Sequence, residues 1–114
     1  LLRKIIKSMG YSEEAIIEKI RSAVESFDPE AEVILFGSRA GKQANKYADW
    51  DILILVNAEY VDRETEMAFR DIIFEVQLET GEAISTFVYS WHEWHQKHSG
   101  TPLYESVQQE GVYL

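Results

Sequence analysis

The sequence contains no cysteine, only two prolines, and about half as many basic residues as acidic ones. Without cysteine the chain has no disulfide framework, no thiolate metal site and no cysteine nucleophile. Eleven Lys and Arg residues against twenty Asp and Glu residues give a net charge of −9, and such a field repels phosphate backbones, which argues against broad nucleic-acid binding. No apolar run approaches the roughly eighteen residues of a membrane span. These features predict a soluble, cytoplasmic protein.

The 114 residues are 46% hydrophobic, an ordinary fraction for a globular chain. So short a chain rarely holds two independent cores, so we expect one domain over residues 1–114. The order of the predicted elements indicates a small α/β (α+β) fold. Apolar spacing, caps and turn residues predict four helices, over 13–27, from Asp62 to Gly81, after Ser90 and from Thr101 to Gly111. Apolar runs bounded by turn residues predict strands over 32–36, 51–56, 83–89 and 112–114. A short amphipathic segment is predicted over 1–7.

Two polar motifs lie beside the first two predicted strands. Gly37-Ser38 directly follows the first strand, and Asp49-Trp50-Asp51 leads into the second. Alternate side chains of a strand point to the same face, so Asp49 and Asp51 are expected about 7 Å apart on one face. Two such carboxylates repel each other unless a cation lies between them. Mg²⁺ favours one or two carboxylates together with waters and substrate phosphates, so the motif predicts a metal site at Asp49 and Asp51.

The Gly-Ser turn is suited to binding a phosphate. Glycine lets a phosphate approach the backbone closely, and the serine hydroxyl and the following N–H groups can donate to its oxygens. Arg39 and Lys42 lie close by in the sequence and can neutralise further charge. We therefore predict nucleotide-binding roles for Gly37, Ser38, Arg39 and Lys42. Each motif alone is also typical of an ordinary solvated turn, and it is their combination and order that favour a functional interpretation.

The chemistry that these two motifs predict together is nucleotide transfer from a metal-bound nucleoside triphosphate. In-line attack at the α-phosphorus would expel pyrophosphate, and catalysis would come from positioning and charge neutralisation. Two metal ions can clamp the attacking and leaving oxygens of such a displacement. Asp49 and Asp51 are therefore the predicted catalytic residues as well as the predicted metal ligands.

The segments Leu35–Ala40 and Tyr47–Ile54 resemble the signature of the polymerase-β-like nucleotidyltransferase superfamily. The chain is most similar to its minimal nucleotidyltransferases, which are about this long. The resemblance implies a small mixed sheet flanked by helices. It also implies Mg²⁺, with two ions in an active enzyme, and a nucleoside triphosphate, usually ATP, as the substrate. By the same resemblance the Gly-Ser pair holds the triphosphate and the two aspartates hold the metals.

The sequence departs from the family at a third carboxylate, which the family usually carries on the next strand. Here that strand, residues 83–89, contains no acid, while Glu82 lies at its start and Glu75 and Glu79 lie on the preceding predicted helix. Two functions therefore stay open. The first is a nucleotidyltransferase that transfers a nucleoside monophosphate to an unknown acceptor. The alternative is a catalytically impaired antitoxin or interaction module that keeps the fold.

The resemblance further implies a protein partner. Minimal nucleotidyltransferases often pair with a HEPN-domain protein in toxin–antitoxin modules, where they adenylylate the toxin or neutralise it by binding. The acidic charge of this chain suits a basic, RNA-cleaving partner. A homo-oligomer also stays open, and the sequence identifies neither the acceptor nor the preferred base.

Three histidines form a rival candidate metal site. His92, His95 and His98 recur every three residues, but this step drifts around a helix, so that the third ring turns away from the first. The pattern therefore favours an exposed or aromatic-packed role for the histidines. Trp91 and Trp94 are expected to be core or interface aromatics.

Overall fold

A computed structural model of the chain describes residues 10–40 and 48–114. The amphipathic segment predicted over 1–7 and the predicted phosphate ligand Lys42 lie outside these ranges. The described elements agree with the predicted ones, and the strand boundaries differ by no more than one residue. In chain order they are helix α1 (Glu13–Phe27), strand β1 (Glu32–Phe36), a 3-10 turn (Gly37–Arg39), β2 (Trp50–Val56), α2 (Arg63–Thr80), β3 (Ile84–Ser90), α3 (Trp91–Lys97), α4 (Pro102–Glu110) and β4 (Val112–Tyr113).

The helix boundaries follow from local capping chemistry. The side chains of Ser12, Asp62, Ser90 and Thr101 each accept a backbone N–H at the start of one of the helices. Removing such a cap typically costs about 1 kcal/mol. Gly81 ends α2 with a φ of 75°, in the left-handed region that favours glycine. No helix in the described ranges combines the length and apolar character that crossing a membrane requires.

The four described strands form one sheet in the order β3-β2-β1-β4. β1 runs antiparallel to both β2 and β4, whereas β3 runs parallel to β2. The sheet is therefore mixed, as the family resemblance implied, and helices flank it on both faces. In this arrangement the end of β1 and the starts of β2 and β3 meet at one edge of the sheet.

Strand β2 separates two hydrophobic clusters because its side chains alternate between the two faces of the sheet. Trp50, Ile52 and Ile54 pack with residues of α1 and α2. Leu53 and Leu55 point to the opposite face and pack with residues of α3 and α4. Burial on both faces explains the nearly continuous apolar sequence of this strand. The same alternation places Asp51 on the α3/α4 face and its neighbour Trp50 on the α1/α2 face.

Candidate functional site

The candidate site lies at the sheet edge where β1 ends and β2 begins. In the strand register, Phe36 of β1 is opposite Asp51 of β2, and Asp51 is beside Ser85 of β3. The 3-10 turn leaves β1 directly after Phe36. The structure thus brings the Gly-Ser turn next to the Asp-x-Asp motif, although they are more than ten residues apart in the chain.

Gly37 of the Gly-Ser turn lies against Asp51 of the Asp-x-Asp motif. Gly37 has a φ of 76°, a conformation that residues with a side chain rarely adopt. A Cβ added to Gly37 would overlap the Oδ2 atom of Asp51. Glycine is therefore required at this position both by the backbone conformation and by the carboxylate that lies against it.

The two aspartates act on each other electrostatically. Burial raises the pKa of the Asp51 carboxyl above its ordinary value, and the neighbouring charge of Asp49 raises that pKa further. Asp51 is partly buried, whereas Asp49 and Ser38 are exposed. Together these side chains place negative charge and a hydroxyl group at an open edge of the sheet. A divalent cation between the carboxylates would remove their repulsion.

The described residues offer two neighbouring carboxylates here and no larger ligand cluster. No group of three or more His, Cys, Asp or Glu side chains in the described ranges is placed to hold a metal ion. The β3 residue beside Asp51 is Ser85, an exposed residue with a hydroxyl group instead of a carboxylate. At the β3 position paired with Asp51 the structure therefore offers a serine hydroxyl and no carboxylate.

Glu82, the acid closest to β3 in the sequence, is bonded to Trp50 and Arg39. Its Oε1 accepts a 2.7 Å hydrogen bond from the indole N–H of Trp50. Trp50 packs on the α1/α2 face, so the Glu82 carboxylate lies across the sheet from Asp51. Glu79 is also engaged elsewhere, because its carboxylate accepts a 2.7 Å bond from Lys19.

Arg39 lies in the same buried cluster as Glu82. Its side chain is only 2% exposed. The guanidinium donates to Glu82 at 3.2 Å, to Glu13 at 2.9 Å and to the carbonyl of Ala48 at 3.0 Å, and it lies 4.5 Å from the ring centroid of Trp50. This position gives no support to the predicted contact between Arg39 and a nucleotide, which stays a prediction. The sequence carries no signal for this pairing, because 43 residues separate Arg39 from Glu82.

The histidines pack against aromatic rings, as their spacing favoured. His98 lies 4.4 Å from the ring of Tyr89, and His95 lies 4.5 Å from that of Trp91. Trp94 is fully buried, whereas Trp91 is 49% exposed. The rival metal site therefore has no counterpart among the described residues.

Comparison with known proteins points to one family. The sequence model described as "Nucleotidyltransferase domain" matches residues 17–112. Two similar crystal structures are mutant forms of a toxin–antitoxin pair described as MntA-HpeT. One has a TM-score of 0.60 at 15% identity and covers 84% of this chain and 69% of that chain. The other has a TM-score of 0.61 at 19% identity and covers 86% and 70%. These likenesses show the fold. No match was found among curated proteins.

Proposed function

The chain belongs to the nucleotidyltransferase domain family, and from that membership we propose a function. The protein binds ATP together with Mg²⁺. It transfers the nucleoside monophosphate part of ATP to an acceptor and releases pyrophosphate. The observation that carries this proposal is the contact between Gly37 and the Asp51 carboxylate. It joins a turn suited to phosphate and a carboxylate suited to a cation at a single point of the sheet edge.

The proposed roles follow from the chemistry of each side chain. Gly37 leaves the approach to the turn free of a side chain, and the exposed Ser38 hydroxyl can donate to a phosphate oxygen. Asp49 and Asp51 would hold the metal, since carboxylate oxygens are the ligands that Mg²⁺ prefers. When bound, Mg²⁺ would neutralise the triphosphate charge and align the α-phosphorus for attack. Lys42 keeps its proposed role as a further phosphate ligand.

A catalytically impaired binding protein is the second candidate. The position of Ser85 beside Asp51 favours it, because a second metal ion would have fewer protein ligands than the first. Under this alternative the protein still binds Mg²⁺ and ATP, but it transfers no nucleotide unless a partner supplies the missing ligand.

A toxin is the proposed protein partner. The two similar crystal structures come from a toxin–antitoxin pair, which supports an antitoxin role for this chain beside a HEPN-domain toxin. The net charge of −9 would attract a basic partner. Such a toxin would be either the acceptor of the transferred nucleotide or the target that the protein neutralises by binding. We propose that both act in the cytoplasm.

Calorimetric titration of ATP with and without Mg²⁺ tests the nucleotide site. We expect Mg²⁺-dependent binding that is lost when both Asp49→Asn and Asp51→Asn are present. The matched control is the pair Asp71→Asn and Glu75→Gln, which removes two exposed charges from α2 and should leave ATP binding unchanged. Equal affinity in both double variants would contradict the proposed metal site.

Transfer of the nucleotide separates the two candidate functions. The protein and a co-purified partner are incubated with ATP labelled at the α-phosphate. Label on the partner, dependent on Asp49 and Asp51, supports the transferase. Tight Mg²⁺-dependent ATP binding with no label on the partner and no pyrophosphate release supports the impaired binding protein.

A further inference from the structure

We propose that Arg39 is a positioning residue that fixes the Gly-Ser turn to the backbone segment carrying Asp49. The proposal rests on the proposed function, since it assigns to Asp49 and the turn the metal and phosphate roles given above. It differs from the sequence-based expectation, in which Arg39 contacts the nucleotide itself. Arg39 would instead act from the far side of the sheet, through the backbone.

The contacts of the guanidinium connect four parts of the chain. Arg39 belongs to the 3-10 turn, and its Nε donates to the carbonyl of Ala48, the residue immediately before Asp49, at 3.0 Å. The remaining nitrogens bond to Glu82 before β3 and to Glu13 in the first turn of α1. The turn and the start of the Asp-x-Asp motif are therefore held by one side chain.

Burial makes this arrangement rigid. The side chains of Arg39 and Glu82 are each only 2% exposed, so neither can exchange its partner for water without a large desolvation penalty. The plane of the guanidinium is also fixed, because it lies over the Trp50 ring while the Trp50 indole N–H donates to the same Glu82 oxygen. A buried pair held in this way keeps the turn in one orientation.

The geometry requires arginine and not simply a positive charge. A guanidinium presents donors in several fixed directions in one plane, whereas the ammonium of lysine is a compact charge at the end of a flexible chain. Lysine at position 39 could neutralise Glu82, but it could not at the same time reach the Ala48 carbonyl and Glu13 in the observed directions. The substitution Arg39→Lys therefore keeps the charge and removes the connection between the segments.

The first arm of the test measures that connection without any ligand. Hydrogen exchange is followed at two amides: Ala40, which donates to Gly37, and Trp50, which donates to Ala83. The exchange rate of each amide is divided by that of the Leu53 amide in the middle of β2. This ratio should be about tenfold higher in Arg39→Lys than in the unaltered protein. Val24→Ala, in the buried face of α1, serves as a destabilised control and should not raise this ratio, because a loss of global stability speeds exchange at the core amide of Leu53 at least as much.

The second arm measures Mn²⁺ binding to the nucleotide-free protein by electron paramagnetic resonance. Residues that orient metal ligands typically change metal affinity by about 10- to 100-fold when replaced, and we expect a loss of at least tenfold in Arg39→Lys and none in Val24→Ala. If Arg39→Lys does not fold, the double variant Arg39→Met/Glu82→Gln removes both buried charges together and should show the same two changes.

The possible results are distinct. Unchanged relative exchange at Ala40 and Trp50 overturns the proposal. Faster exchange with unchanged Mn²⁺ affinity also overturns it, because the connection then does not position Asp49. Unchanged Mn²⁺ affinity with weakened ATP binding identifies Arg39 as a direct nucleotide contact. If the unaltered protein binds no Mn²⁺, the proposed function fails, and the exchange arm still decides whether Arg39 holds the two segments together.

Discussion

At the scale of single residues, Asp51 lies in an environment that opposes its own charge. Burial, followed by the charge of Asp49, raises its pKa above that of an aspartate in the unfolded chain. The native protein therefore binds a proton at Asp51 more readily than the unfolded chain does. The stabilisation from the protonated group is complete below the unfolded pKa and is lost as the pH rises through the folded pKa.

Asp51→Asn should therefore stabilise the metal-free protein at neutral pH. We expect its melting temperature in a chelator at pH 7 to exceed that of the unaltered protein, with the difference vanishing below the unfolded aspartate pKa of about 3.9. Thermal melts from pH 3 to 8 measure this. Asp71→Asn, at an exposed position of α2, is the control. A lower melting temperature for Asp51→Asn at pH 7 would show that the site does not disfavour the charge.

Gly37→Ala should affect both stability and binding. The left-handed backbone alone costs an alanine roughly 1–2 kcal/mol, and the added Cβ must also displace the Asp51 carboxylate. We expect a lower free energy of unfolding in urea and the loss of Mg²⁺-dependent ATP binding.

Gly100→Ala is a matched control for this variant. Gly100 has a φ of 88°, but a Cβ added there would meet no atom within 4 Å. It should lose comparable stability from its backbone conformation and keep full ATP binding. If both variants lose ATP binding, the loss in Gly37→Ala results from lower stability and not from the displaced Asp51 carboxylate.

At the scale of secondary structure elements, the register between β2 and β3 decides how many carboxylates can meet at the proposed metal site. Asp51 and Ser85 are paired in the parallel register, and paired residues of neighbouring strands share a face. Position 85 is therefore the place on β3 from which a third carboxylate would reach the site. The sequence alone could not identify position 85, because β3 contains no acid that would mark which of its residues pairs with Asp51.

Ser85→Asp should create a stronger metal site. We expect Mn²⁺ affinity to rise about tenfold, within the range that ligand-shell changes typically produce, and metal-free stability to fall because three carboxylates repel one another. Thr86→Asp, which adds the same charge on the opposite face of β3, should not raise the affinity. Isothermal titration measures the Mn²⁺ affinity of both variants. Equal affinities would refute the claim that position 85 is the place on β3 that faces the proposed metal site.

The elements themselves were predictable because their signals are local. Ser12, Asp62 and Thr101 cap helices through bonds to residues three positions away, and the apolar run of β2 marks a strand buried on both faces. The pairing of Arg39 with Glu82 was not predictable, since it depends on the parallel alignment of β3 with β2. The bonds of Arg39 to Glu82 and Glu13 depend on tertiary structure in the same way, and the predicted contact between Arg39 and a nucleotide stays a prediction.

At the scale of the whole molecule, the charge of −9 should influence encounters with the proposed partner. If a basic HEPN-domain protein binds this chain, electrostatic attraction should speed their association, and salt should screen it. We expect the association rate constant to fall about tenfold or more between 50 mM and 500 mM salt, with a smaller change in the dissociation rate. Surface plasmon resonance on a co-purified partner measures both, and a salt-independent association rate would exclude charge steering.

The buried bond between Arg39 and Glu82 also has a consequence for how the protein is made. A ribosome releases the Gly-Ser turn and both aspartates well before residue 82 emerges, so the growing chain carries all the proposed site residues while Arg39 still lacks its buried partner. Helix α2 and the start of β3 must arrive before the turn can be held in place. The site is therefore expected to become competent late in synthesis, and nascent chains that stop before Glu82 should hold neither metal nor nucleotide.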